Sequence, residues 1–279
     1  MKLRTGKELI LASKEFAHEN RLMSWFHLLT AILLLMTGIV SATMPFPLAV
    51  RIFGCIMVWL MNARLFMIYH DFLHHAILNR SRTAKVIMSI FGWYILAPVT
   101  IWKRSHDHHH KHNSKLFTAS IGSYPIMTKR KFLASNEKER RSYLMTRHPL
   151  TIAFGYFTIF FFGMCWRSFI TNPKRHFDSL IALLFHISMA VLIIIYGGVS
   201  AFFLAWFIPF LLTGALGSYL FYAQHNFVGV AFKDNVDWSY DFAALASSSY
   251  FRMSKLMHWF TGNIGYHHIH HLDRKSTRL

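Results

Sequence analysis

Long apolar stretches alternate with shorter polar stretches along most of this chain. Four of the apolar stretches have the length that a helix needs to cross a bilayer at about 1.5 Å per residue. They cover residues 22–42, 48–69, 179–196 and 201–222. A proline-containing turn separates the first two stretches, and a pair of glycines separates the last two. The pattern predicts an all-α integral membrane protein with four transmembrane helices in two hairpins.

Three clusters of histidines lie at or beyond the ends of the apolar stretches. They read His-Asp-Phe-Leu-His-His from residue 70, His-Asp-His-His-His from residue 106 and His-His-Ile-His-His from residue 267. The main histidines of each cluster are three or four residues apart, which places their side chains on one face of a helix. Neutral imidazoles are ligands for transition metals. Because three clusters supply more donors than one octahedral metal can use, we predict two metals.

A shared metal site requires all three clusters to lie on the same side of the membrane. A single crossing by residues 84–101 would separate the first two clusters. We therefore interpret this stretch, which Gly92 and Pro98 interrupt, as an interfacial or re-entrant helix. The same requirement assigns residues 149–166 to a second segment of this kind. The expected architecture is one membrane domain over residues 1–272 with a histidine-rich cytoplasmic cap.

The composition agrees with a membrane protein, since 54% of the residues are apolar and 15% are charged. The formal net charge of +18 is concentrated in polar loops such as residues 103–147, which contain eleven Lys or Arg and three acids. In a membrane protein, basic loops set the orientation and contact anionic lipid. We therefore expect the loop, both termini and the metal site in the cytoplasm, and we expect no nucleic-acid partner.

Some residues beside the cluster histidines are candidates for supporting roles. Asp71 and Asp107 each follow the first histidine of a cluster, and each carboxylate either orients an imidazole through its second nitrogen or is a solvated loop acid. His108 and His268 lie off the shared helix faces, so we expect them beside the ligands or in solvent. His225 follows the last apolar stretch at the depth of the clusters, and its spacing alone leaves its role open.

The motifs HDFLHH, HDHHH, YAQHNF and TGNIGYHHIHHL, in this order, resemble those of the membrane-bound fatty acid desaturase superfamily, in particular the bacterial acyl-lipid desaturases. The resemblance covers about residues 23–272. It implies a non-haem di-iron centre, whereas imidazole ligands by themselves suit zinc, copper, iron and nickel. At the matching positions, the implied iron ligands are His70, His74, His106, His109, His110, His225, His267, His270 and His271. His75 remains an alternative to His74, because the first motif ends in two histidines.

The resemblance also implies a reaction. A desaturase of this type uses O2 to introduce a cis double bond into a lipid-linked or CoA-linked acyl chain. Two electrons come from an external donor, such as a ferredoxin or a cytochrome b5-like protein, and the sequence contains no GxGxxG or haem-attachment motif for an internal one. The protein would hold the acyl chain in an apolar tunnel beside the metals. The implied location is the bacterial inner membrane.

Two other functions fit parts of the pattern. A di-iron hydroxylase or ketolase of acyl chains, alkanes or carotenoids would use the same ligands and differ in the shape of the tunnel. A metal transporter or sensor would need polar or ionisable residues in the middle of the membrane. The predicted spans offer little of this kind beyond His27 and His186. The desaturase reaction is therefore the main hypothesis.

The last seven residues, 273–279, read Asp-Arg-Lys-Ser-Thr-Arg-Leu and follow the third cluster directly. This heptapeptide resembles translated sequencing adapter and offers no apolar face for packing. We therefore expect residues 273–279 to be a non-native tail, and we exclude them from the prediction of the fold.

Overall fold

The computed structural model describes residues 4–116, 124–234 and 236–275 of the chain. The regular elements in these ranges are helices, and one bridge between Lys115 and Lys233 joins two extended segments. The all-α class predicted from the hydrophobic pattern is therefore confirmed.

The lengths of the helices range from 5 to 26 residues. In chain order the α-helices are α1 (Gly6–Ser13), α2 (Arg21–Thr43), α3 (Leu48–Leu73), α4 (Arg82–Tyr94), α5 (Val99–His112), α6 (Lys129–Ala134), α7 (Glu137–Thr146), α8 (Pro149–Ala153), α9 (Arg167–Thr171), α10 (Phe177–Phe202), α11 (Ile208–Ala223), α12 (Tyr240–Ala246), α13 (Lys255–Phe260) and α14 (His267–Leu272). Two segments have π-helical hydrogen bonding, π1 (Tyr156–Trp166) and π2 (Phe203–Phe207).

Three helical stretches in the described ranges are long and apolar enough to cross a membrane. They are α2, α3 and the 47-residue stretch Phe177–Ala223, which comprises α10, π2 and α11. Helix α3 continues four residues beyond the predicted 48–69, so His70 lies inside the helix instead of at its exit. These helices agree with a membrane protein, while the number of crossings stays a prediction.

Helices α2 and α3 approach each other closely at a pair of glycines. A Cβ atom at Gly54 would lie 2.7 Å from the Ala42 amide nitrogen and 2.8 Å from the Gly38 carbonyl oxygen. Membrane helices pack closely where both surfaces carry small residues. This contact holds α3, which carries the first histidine cluster, firmly against α2.

The stretch Phe177–Ala223 reverses direction at Gly198. This glycine has φ 77° and ψ 175°, a conformation that side chains disfavour. His186 and Phe210 would lie about 36 Å apart in a straight helix, yet their ring centroids are 4.6 Å apart. The halves before and after Gly198 therefore lie side by side, and the reversal falls at the glycine pair where the sequence predicts a turn.

Helices α4 and α5 form a bent pair with an angle of 91° between them. The predicted single segment 84–101 is thus two helices, and Pro98 is the N-cap of the second. At this position the backbone N–H makes no hydrogen bond within the helix, so a proline there costs none. Helix α5 runs on to His112, so the second cluster is helical throughout. Helix α8 and π1 occupy the other predicted interfacial segment, 149–166. Their depth relative to a membrane, like the orientation of the termini, stays a prediction.

Candidate metal centre

Nine buried histidines from four separate parts of the chain form two adjoining groups. One group contains five histidines and the other contains four, and within each group the ligand atoms lie within 4.8 Å of one another. The first group is His70, His74, His106, His110 and His270, and the second is His109, His225, His267 and His271. These are the nine histidines at which the sequence resemblance places iron ligands.

In the first group, the Nε2 atoms of the imidazoles converge on one small volume. The Nε2 atom of His106 lies 2.9 Å from that of His70, 3.0 Å from that of His74 and 3.1 Å from that of His110. The Nε2 atom of His270 lies 3.0 Å from that of His110. His70 of α3 and His74, the C-cap of the same helix, are four residues apart, as are His106 and His110 of α5. This spacing stacks side chains on one helix face.

The second group repeats this convergence beside the first. The Nε2 atoms of His109 and His271 lie 3.1 Å apart, and those of His225 and His267 lie 2.9 Å apart. His271 and His267 connect the two pairs, with their Nε2 atoms 3.1 Å apart. His225, which follows α11 directly, therefore lies inside the site that its spacing alone could not assign.

Helices α5 and α14 each serve both groups. On α5, His106 and His110 point to the first group and His109 to the second, while on α14 His270 belongs to the first and His271 to the second. The ring centroids of His110 and His271, from different groups, are only 4.3 Å apart. The arrangement therefore consists of two neighbouring groups, each of which could hold a metal ion.

Hydrogen bonds at the second ring nitrogen orient two of these imidazoles. The Nδ1 atom of His70 lies 3.0 Å from the buried Asp71 carboxylate, and Nδ1 of His225 lies 3.0 Å from the Ser247 carbonyl oxygen. An Nδ1–H that donates to such an acceptor leaves Nε2 with its lone pair facing the group. Asp71 thus has the orienting geometry that was one of its two predicted roles.

Burial favours the neutral form of the histidines that lie outside the long membrane helices. Desolvation lowers the pKa of His225 to about 4, although the bond to Ser247 opposes the shift. Desolvation, followed by repulsion from neighbouring imidazoles, also holds the pKa well below 6.5 for His74, His106, His109, His110, His267, His270 and His271. Neutral imidazoles at pH 7 keep the lone pairs that a metal requires.

The remaining candidates lie outside both groups. His75 is exposed and has φ 56°, so the structure brings His74 and not His75 into the first group. His108 is exposed, with its ring centroid 4.1 Å from that of His112. His268 is half-buried beside the Tyr250 ring. The Asp107 carboxylate contacts Lys103 at 2.9 Å and Arg274 at 3.2 Å.

Two contributors to the site were missed by the sequence reasoning. Trp102 is buried and stacks on His106, with ring centroids 4.9 Å apart and an interplanar angle of 13°. Its position one helical turn before His106 is a signal that the spacing analysis could have used. The carbonyl acceptor at Ser247 lies 22 residues from His225, and no local pattern marks it.

An apolar cavity leads from the histidines into the helix bundle. It consists of two adjoining spaces of about 460 Å³ and about 520 Å³, both figures including open solvent, which share Phe66, Met67, Gly217 and Leu220 in their walls. The first space reaches His70, His106, His109 and His267, and the second ends among Tyr156, Phe160 and Phe210. The site therefore faces a narrow apolar channel.

Part of the predicted tail makes contacts with the domain. Asp273 accepts a hydrogen bond from the Ser13 hydroxyl at 3.2 Å, and Arg274 pairs with Asp107. Residues 276–279 lie outside the described residues. The prediction that 273–279 is non-native stays a prediction.

Comparison with known proteins identifies relatives that match most of the chain. Residues 45–275 match the sequence profile of the family described as "Fatty acid desaturase". A protein of Bacillus subtilis (strain 168) named "Fatty acid desaturase" is 31% identical over 220 residues, which are 76% of this chain and 60% of the relative. The "sn-1 oleoyl-lipid 12-desaturase" of Anabaena variabilis is 24% identical over 266 residues, 93% of this chain and 74% of the relative. This chain thus spans less than two thirds of the Bacillus protein.

Proposed function

Because this chain belongs to the fatty acid desaturase family, which it matches over residues 45–275, we propose that it is an oxidoreductase that desaturates fatty acyl chains. It introduces a cis double bond into an acyl chain of a membrane lipid, with O2 as co-substrate. The observation that carries this proposal is the juxtaposition of nine buried imidazoles with an apolar channel.

The donor set fits two irons. Five and four buried imidazoles surround the two positions, and imidazole is a common ligand for iron. The proposed ligands are His70, His74, His106, His110 and His270 for one iron and His109, His225, His267 and His271 for the other. Bound iron would supply the redox chemistry that activates O2, which protein side chains cannot provide.

The protein's own residues hold and orient the reacting groups. Asp71 and the Ser247 carbonyl fix the rings of His70 and His225, so that Nε2 faces the metal position. Phe66 and Leu220, which line both spaces of the channel, exclude water and confine an extended acyl chain next to His106. Confinement of this kind decides which carbons reach the metals.

The substrate and the electron source follow from the setting of the site. The channel is lined mainly by residues of α3, π1 and α11, and the Anabaena relative is named for a lipid-linked oleoyl substrate. We therefore favour a lipid-linked acyl chain over acyl-CoA. The two electrons come from a separate carrier, such as a ferredoxin or a cytochrome b5-like protein.

The proposed location is the bacterial inner membrane, with the metal centre and both termini on the cytoplasmic side. The basic segment 103–147, with eleven Lys or Arg and three acids, supports this orientation. In this arrangement residues 1–272 form one domain, with crossings at 22–42, 48–69, 179–196 and 201–222.

Lipid analysis after expression in a bacterial host tests the reaction. We expect fatty acids with one additional double bond in cells that express the chain. The variant His109→Ala should abolish this product, because it removes a proposed ligand. The variant His18→Ala should retain it, because His18 lies outside both histidine groups. Hydroxylated or keto products instead of alkenes would contradict the proposal and would favour a hydroxylase or ketolase.

A further inference from the structure

A second cavity, which is polar, lies on the side of α5 that faces away from the histidines. Its walls contain Arg104 of α5, three residues of α9 (Arg167, Ser168 and Thr171) and the buried His176. Its volume is about 770 Å³, including the open mouth. Arg104 precedes His106 by two residues, about 200° around the helix. The cavity is therefore separate from the proposed metal centre.

A chain of hydrogen bonds fixes Arg104 at this cavity. The Arg104 guanidinium lies 3.2 Å from Nε2 of His176, and Nδ1 of His176 lies 3.1 Å from the Thr100 hydroxyl oxygen. The Thr100 hydroxyl donates to the Asp178 carboxylate at 2.5 Å. Because the guanidinium can only donate, His176 accepts at Nε2 and donates from Nδ1 to Thr100. Burial, with a contribution from Arg104, lowers the pKa of His176 and keeps it in this neutral form.

The cavity combines positive charge with neutral hydrogen-bond donors. Its walls within the described residues carry two guanidinium groups, two hydroxyl groups and the amide of Asn172, and no carboxylate. The nearby Asp178 accepts hydrogen bonds from both the backbone amide and the hydroxyl of Thr100. This set of side chains matches the oxygens of a phosphate group, which arginine binds through charge-assisted hydrogen bonds.

Exposed apolar side chains flank the same cavity. Phe162 and Trp166 of π1, Ile170 of α9 and Phe177 at the start of α10 are all about half exposed. Phe177 is also the first residue of a stretch long enough to cross a membrane. Tryptophan and basic residues at such a boundary are typical of the lipid headgroup region. A phosphate in the cavity would therefore have acyl chains next to it.

We propose that this cavity binds the phosphate of an anionic phospholipid. Arg104 and Arg167 contact the phosphate oxygens, and the Ser168 hydroxyl supplies an additional donor. The apolar side chains around the mouth contact the acyl chains. This site goes beyond the proposed function, because lipid binding here requires neither the metals nor turnover.

The test measures binding of dihexanoyl-phosphatidylglycerol to the purified full-length protein by isothermal titration calorimetry. We expect Arg167→Gln and Arg104→Gln each to weaken binding about tenfold, the effect of losing one charge-assisted hydrogen bond. The control Lys174→Gln removes an exposed positive charge from the adjoining loop and should leave the affinity unchanged. Dioctanoylglycerol, which lacks the phosphate, should not compete.

Three results would overturn the proposal. Equal losses in Lys174→Gln and Arg167→Gln would indicate diffuse electrostatics instead of a site. Competition by dioctanoylglycerol would show that the phosphate is not recognised. Binding of inorganic phosphate as tight as that of the lipid would indicate a site for a free anion. Since Arg167 is exposed on a short helix, its variant should fold normally, which an unchanged melting temperature would verify.

Discussion

The Asp71 carboxylate oxygen lies 3.0 Å from Nδ1 of His70, and both side chains are buried. Asp107 has the same local sequence position, directly after the first histidine of its cluster, yet its carboxylate contacts Lys103 and Arg274. Two identical His-Asp pairs thus differ in their contacts, because α3 turns its aspartate inward and α5 turns its aspartate outward.

The variant Asp71→Asn should weaken iron binding by about 10-fold to 100-fold, the usual effect of removing a carboxylate that orients a metal-bound histidine. Titration of the metal-free protein with iron against a competing chelator would measure this. Asp107→Asn is the matched control and should bind iron nearly as the unchanged protein does. Equal losses in both variants would show that Asp71 has no orienting role.

Substitution in the channel should separate catalysis from metal binding. Leu220 lines both spaces of the channel, so Leu220→Trp should block an acyl chain while the histidines still bind metal. We expect normal iron content and product yield reduced at least tenfold. Leu212→Trp, on the same helix but at a position that is 37% exposed, should keep most of the activity. Full activity in Leu220→Trp would exclude this channel as the path of the substrate.

Acidification should destabilise the metal-free protein. The pKa of His225 is lowered to about 4 in the folded protein, whereas an unfolded histidine has a pKa of about 6.5. Below pH 6.5 the unfolded chain therefore binds more protons, and stability is lost as the pH falls from 6.5 toward 4. His106, His109 and the other histidines with lowered pKa add to this slope.

The melting temperature of the metal-free protein in detergent should thus fall steeply between pH 7 and pH 5. The variant His225→Ala should show a shallower slope, since it lacks one of the contributing groups. A melting temperature that rose or stayed constant on acidification would show that the cluster histidines are not held neutral in the fold.

Local spacing was sufficient to place the main histidines of each cluster on a shared helix face, whereas His225 was assigned to the site only through the resemblance. His106 and His110 share a helix face through their separation of four residues, and this holds in any environment that keeps α5 helical. The division of nine histidines into groups of five and four depends instead on how α5 and α14 rotate against each other. That rotation is set by tertiary packing, which no single segment encodes.

Tertiary contacts also determine the position of some residues to which local sequence patterns assign no specific role. Arg64 lies within the predicted membrane stretch 48–69, yet it is only 3% exposed and stacks on Trp259, with its guanidinium carbon 4.4 Å from the ring centroid. It also donates a hydrogen bond to the Trp259 carbonyl oxygen. Its partner lies 195 residues away, so periodicity within α3 could not reveal it.

The most direct test of the two-metal centre is the iron content of neighbouring variants after anaerobic loading. His74 lies in the first histidine group, while His75 is exposed outside it. We expect about two irons per chain in the unchanged protein and in His75→Ala, and about one in His74→Ala. A single tightly bound zinc with no iron, or two irons in His74→Ala and one in His75→Ala, would contradict the proposed centre.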